Sequence, residues 1–160
     1  LSAANESSAD GFHQRVRDLP IGASARFRAL RDGQPREFKV ALVASPAGTA
    51  SLRTLGLTRL RAQLRELGFY DRAARRLPAS QQGVLVDGVE AGGPAGLAHL
   101  QAGDLVIRLG DQPVRDLAGL SAALDAALAT GNGRVIPVQV IRGAETRILY
   151  LERYWLTETP

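Results

Sequence analysis

A chain of 160 residues, 45% hydrophobic and 22% charged, can hold one ordinary domain, or a small domain plus part of a second, and is no disordered polyelectrolyte. No apolar run approaches the roughly 18 residues of a transmembrane helix, and the absence of cysteine excludes disulfides, thiolate catalysis and Cys-ligated zinc while leaving the compartment open. The net charge is +4, unevenly spread: residues 51–80 carry seven Arg against Glu66 and Asp71, whereas residues 81–160 carry six basic and nine acidic groups.

Leu1-Ser2-Ala3-Ala4 has neither a basic n-region nor an apolar h-region, so no signal peptide is expected, and a start other than Met points to a piece of a longer protein. In residues 8–18, Phe12 and Val16 stand one helical turn apart behind a Ser start, and Pro20 and Gly22 end the helix. Ala25, Phe27 and Ala29 then alternate with polar residues, Arg31-Asp32-Gly33 supplies a turn, and Phe38, Val40 and Leu42 continue the alternation. That pattern predicts a β-hairpin. Ser45–Ser51 has linker composition.

The seven Arg of residues 51–80 read either as a solvated helix face or as a patch steering acidic partners or a terminal carboxylate. Phe69 and Tyr70 are too few for a base-stacking platform, so no nucleic-acid partner is expected. Farther on come a short apolar strand, Gly83–Val86, and a small-residue helix start at Pro94-Ala95. The Ala102-Gly103-Asp104 turn leads into a second strand at Leu105-Val106, and Gln112-Pro113-Val114 follows. Asp116 caps a helix bearing Leu117, Leu120, Leu124 and Leu128, closed by Thr130-Gly131-Asn132-Gly133. Strands follow at Val135–Ile141 and Thr146–Leu151 around Arg142-Gly143. The order helix, glycine, strand, Arg-containing turn, strand repeats that of the N-terminal segment.

The succession Gln82–Val86, Pro94-Ala95, Leu100–Val106, Gln112–Val114 and Leu117–Leu124 resembles a bacterial PDZ domain. With the repeat, it resembles the tandem PDZ part of HtrA/Deg envelope serine proteases. The resemblance implies a mainly β fold with helices: a small barrel or sandwich of five to six strands capped by two helices, preceded by a helix-plus-hairpin half-domain. The implied boundaries are residues 1–44 for that half-domain, 45–51 for a linker, 52–152 for a complete PDZ-like domain and 153–160 for a tail. The half-domain alone would leave an apolar sheet face uncovered. It implies a non-catalytic, peptide-binding region of a larger enzyme in the periplasm or cell envelope. The implied partners are C-terminal or extended segments of protein substrates and an upstream protease domain, with a homo-oligomer as a further option.

A PDZ domain adds the partner's last residues as a strand at its sheet edge, beside a helix. By resemblance, Thr54-Leu55-Gly56-Leu57 forms the loop whose amides hold the terminal carboxylate, and Leu57-Thr58-Arg59-Leu60 the strand that pairs with peptide. Leu117, Ser121 and Leu124, on one helical stripe, form the opposite wall, with Leu120, Ala123 and Leu128 turned to the core. The site expected is thus Thr54, Leu55, Gly56, Leu57, Thr58, Arg59, Leu117, Ser121 and Leu124, without catalytic residues, metal or cofactor.

Two departures stand out. His99 sits where such domains place a left-handed glycine. Leu60, Leu64 and Leu67 also have helical spacing behind Thr58, and a helix from Thr58 would leave too short a strand to hold a ligand. Gly88, Gly92, Gly93 and Gly96 make no phosphate loop, His13 and His99 are too isolated for a metal site, and no Gly-x-Ser-x-Gly element marks a nucleophile. Trp155, after Tyr154 and beyond the last strand, is expected to anchor the tail or to contact a following segment. Two other readings remain open: an assembly module that binds no free peptide, and the PDZ region of a membrane sensor or of a site-2 or tail-specific protease.

Overall fold

The computed structural model describes residues 6–46, 48–130 and 133–157, with the side chains of residues 6–10 and Phe12 left aside. Leu1–Ala4, Ala47 in the expected linker, Gly131-Asn132 at the expected helix end and residues 158–160 of the expected tail lie outside the described residues. The chain forms two compact units, Leu1–Pro46 and Ala47–Pro160.

In the first unit a helix, α1 (Glu6–Arg17), precedes the antiparallel strands β1 (Ser24–Arg31) and β2 (Gln34–Ala41). Arg31 pairs with Gln34, so the connection is the two residues Asp32-Gly33, with φ of 54° and 74°. A tight hairpin of this hand needs two positive φ values, which Asp tolerates and Gly prefers. Leu30, Phe38, Val40 and Val43 of this unit are exposed.

The second unit opens with one 3-10 turn, Thr49–Ser51, in which Ser51 Oγ donates to Gly48 O at 2.8 Å. It then contains β3 (Thr54–Leu57), β4 (Ala62–Glu66), α2 (Phe69–Ala74), β5 (Val84–Val89), α3 (Pro94–Leu97), β6 (Leu105–Leu109), β7 (Gln112–Pro113), α4 (Leu117–Thr130), β8 (Val135–Arg142), β9 (Glu145–Glu152) and α5 (Arg153–Thr157). The sheet runs β3-β4-β5-β6-β8-β9, with β7 paired to β6, so β3 and β9 are its edges. Among the described residues it has seven strands rather than five or six, because β3 and β4 are separate. The second hairpin reproduces the first: eight-residue strands joined by two residues, here Gly143-Ala144, with Arg142 facing Glu145.

Alternating inward residues build the core. Leu64, Val86, Val106, Leu120, Val138 and Leu151 are all nearly inaccessible, and a void that they line holds about 10 Å³, at or below the space one water needs. Pro94 at the first turn of α3 lacks only an N–H that would have no helical partner there. Asp116 caps α4: its Oδ1 accepts the Gly119 N–H at 2.7 Å.

The expected tail is part of this unit. Leu156 is buried while Trp155 remains 44% exposed, edge-on to Tyr154, so Leu156 and not Trp155 anchors it. Arg153 helps: its Nη2, Nη1 and Nε donate to Ala127 O, Leu128 O and Gly133 O at 2.6, 2.9 and 2.9 Å. A guanidinium there complements the negative end of α4.

Candidate functional site

The segment that opens the second unit decides what its sheet edge can do. Thr54–Leu57 is not a free loop. It is the strand β3, antiparallel to β4, with Thr54 facing Arg65, Leu55 facing Leu64, Gly56 facing Gln63 and Leu57 facing Ala62. Residues opposite one another share a face, so Leu55 and Leu57 lie with the buried Ala62 and Leu64 and pack against the main core.

Leu57-Thr58-Arg59-Leu60, expected as a peptide-pairing strand, is instead mostly turn. The N–H groups of Leu60 and Arg61 donate to Leu57 O and Thr58 O, both at 3.0 Å. Arg61 takes φ of 52°, closing the turn with a residue that offers no glycine-like sequence signal. The alternative helix from Thr58 does not form either. Leu60, Ala62 and Leu64 are buried, which is strand alternation through β4, and Leu67 follows in a second cluster with Leu85 and Leu105.

On α4 the stripe expected to face an open groove is covered. Leu117 and Leu124 retain 9% and 2% of their surface, in the same cluster as Leu120 and Ala123. Ser121 is half-buried, with its hydroxyl donating to Leu117 O at 3.3 Å, and Leu128 is only half-buried. Leu55 and Leu57 pack on that cluster. Just past the end of β3, Arg59 Nη1 donates to Asp125 Oδ1 of α4 at 2.7 Å.

An open concavity of this unit lies elsewhere. Gly56, Leu57, Thr58 and Arg59 line it, but its other walls are Gly88–Glu90, Gly92, Pro94, Trp155 and Leu156, with Arg61 Nη2 paired to Glu90 Oε1 at 2.8 Å. No α4 residue borders it.

The arginines of residues 51–80 are mostly structural ties. Arg65, only 9% exposed, donates from Nη1 and Nη2 to Asp71 at 2.6 and 2.8 Å and from Nε to Asp87 at 3.1 Å. Together with the Gly68 N–H, it holds the Asp71 carboxyl below the usual carboxylate range. Arg53 Nε donates to Glu66 Oε1 at 2.7 Å, which holds Glu66 low in the same way. Arg72 bonds the carbonyls of Leu67 and Gln81, and Arg75 that of Gly103. Neither a solvated helix face nor an open basic patch describes this segment. The bonds of Arg72 and Arg75 escaped sequence reasoning because carbonyl acceptors carry no residue-type signal.

Residues 60–152 match the PDZ domain family. The chain belongs to that family. This PDZ chain is also 28% identical, over 145 residues, to the periplasmic pH-dependent serine endoprotease DegQ of Escherichia coli (strain K12); the match covers 88% of the chain but 28% of DegQ. Among solved structures it resembles the HtrA3 PDZ domain bound to a phage-derived ligand (FGRWV), at 17% identity and TM-score 0.45, covering 63% of this chain and 85% of that one. It also resembles the HtrA-type protease AlgW with a decapeptide, at 25% identity and TM-score 0.46, covering 63% and 29%. No described helix is long and apolar enough to cross a membrane.

Proposed function

We propose that this chain is the non-catalytic, peptide-binding PDZ region of a larger HtrA/Deg-like envelope serine protease. In this reading it takes apolar C-termini or extended segments of protein substrates as an added strand at the β3 side of its sheet. The contributing residues are Thr54–Arg59 and, from α4, Leu117, Ser121 and Leu124. The observation that carries the reading is the PDZ match over residues 60–152, together with a sheet that ends in a short strand whose leucines pack on the core cluster to which α4 contributes. The similarity to DegQ supports a protease as the parent and the periplasm as its place.

Burying one Val or Leu side chain contributes about 1.5–3 kcal/mol, and micromolar affinity needs roughly 8 kcal/mol. Strand hydrogen bonds and the carboxylate would supply the remainder, so affinity is modest. Isothermal titration with peptides ending in Val, Leu, Ile or Phe tests this: free-acid peptides should bind more tightly than their amidated forms. No heat of binding at millimolar peptide would reject the site.

An assembly role is favoured by a separate observation. Ile148 and Tyr150, on one face of the edge strand β9, are 57% and 58% exposed; Val135, which pairs with Glu152 of β9, is exposed too, as are Tyr154 and Trp155 just after the strand. Sedimentation that finds only monomer at high concentration would dismiss that reading.

A further inference from the structure

We propose that Thr54–Leu57 is a tethered stand-in for a peptide ligand: the chain keeps its own strand where a partner's C-terminus would be added, and the site opens when that strand is displaced. The inference rests on the peptide-binding reading and deepens it, with one change of role: Thr54–Leu57 competes with the peptide for the edge of β4 instead of holding it. A peptide captured by strand addition lies along a strand edge beside a helix, and by the resemblance it ends at the loop preceding that strand. β3 meets each condition. It lies antiparallel on β4 and ends at the turn that opens β4. Its two leucines pack on the cluster to which α4 contributes Leu117 and Leu124. Leu57 O accepts the Leu60 N–H at 3.0 Å, the bond a terminal carboxylate would take.

The stand-in also defines the partner. An extended segment with apolar residues at its last and third-last positions, and a small residue between them, would repeat Leu55-Gly56-Leu57. Such a segment competes against a strand whose tether gives it an effective concentration of about millimolar. The resident strand is suited to leave. It has four residues, two of them half-buried leucines and one a glycine without side-chain packing, and its turn holds Arg61 at positive φ.

The chain has no cysteine, so Gly56→Cys with Gln63→Cys, at facing positions of β3 and β4, makes a lock that closes on oxidation and opens with reductant. The probe is a fluorescein-labelled peptide Arg-Thr-Leu-Gly-Leu with a free C-terminal carboxylate, titrated by anisotropy against the full chain. The reduced pair should bind at least about tenfold more tightly than the oxidised pair. A full-chain Leu55→Asp/Leu57→Asp variant, if it folds by circular dichroism, should bind more tightly than the parent. Equal affinity in locked and unlocked forms overturns the stand-in and leaves peptide binding itself intact, with the peptide adding to the outer edge of β3 and the α4 residues taking no part. Binding by no form, to this probe or to peptides ending in Val, Ile or Phe, overturns both.

Discussion

Asp104 presents both carboxylate oxygens to Arg142, which lies 38 residues away in sequence: Nε meets Oδ1 and Nη2 meets Oδ2, each at 2.6 Å. The same Nη2 donates to His99 O at 2.8 Å, and the Gln101 N–H donates to Asp104 Oδ2 at 3.0 Å. One ion pair therefore ties the end of β8 to the Gln101–Asp104 turn that precedes β6.

Asp104 is fully buried, so removing its partner strands a charge. Arg142→Leu should lower the unfolding free energy by about 3 kcal/mol, the lower end of the range for broken buried pairs, because the arginine keeps some solvent contact. Urea denaturation measures it. A loss below about 0.5 kcal/mol would mean that the pair behaves as a surface bridge.

Asp71 titrates lower in the folded chain than in the unfolded one, chiefly through Arg65. The unfolded state then takes up the proton first as pH falls. Stability from this group is complete above about pH 4 and is lost as pH drops towards the lowered folded value. Asp71→Asn should reduce stability at neutral pH and flatten the acid limb of a midpoint-against-pH curve. An unchanged acid limb contradicts the assignment.

His99 holds φ of 62°, a left-handed conformation that costs most L-residues about 1 kcal/mol. Its carbonyl, not its side chain, is what Arg142 uses. His99→Gly should therefore raise the thermal midpoint slightly, with a gain of less than about 1 kcal/mol because glycine also loosens the unfolded chain. A lower midpoint would point to a contact of the imidazole.

Arg153 satisfies three carbonyls at and beyond the end of α4. Arg153→Ala should cost about 2 kcal/mol, within the range for hydrogen bonds to a charged group. Hydrogen exchange should show the last turn of α4 opening more readily, and unchanged protection there would refute the capping role.

Much of the fold was legible in local chemistry. Asp32-Gly33 named its own hairpin, Pro94 its own helix start and Asp116 its own cap, while the left-handed position of His99 came from the PDZ resemblance. The candidate site was less so. Leu55-Gly56-Leu57 reads as a loop from sequence yet forms a strand, and the segment after it reads as a strand or a helix yet forms a turn. The Thr58–Arg61 turn contains no Gly, Asn, Asp or Pro, and Leu60, Leu64 and Leu67 satisfy helical spacing.

The sequence by itself determined which segments alternate, where chain reversals marked by glycine, proline or a cap fall, and hence the PDZ succession from Gln82 onward. Only the tertiary structure decided that Thr54–Leu57 lies on the edge of β4 and that the Leu117 and Leu124 stripe is covered rather than open. The reason is physical. Strand alternation and helical periodicity say which face of an element is apolar, but what covers that face is set by pairing with a strand whose own local signals do not name its partner.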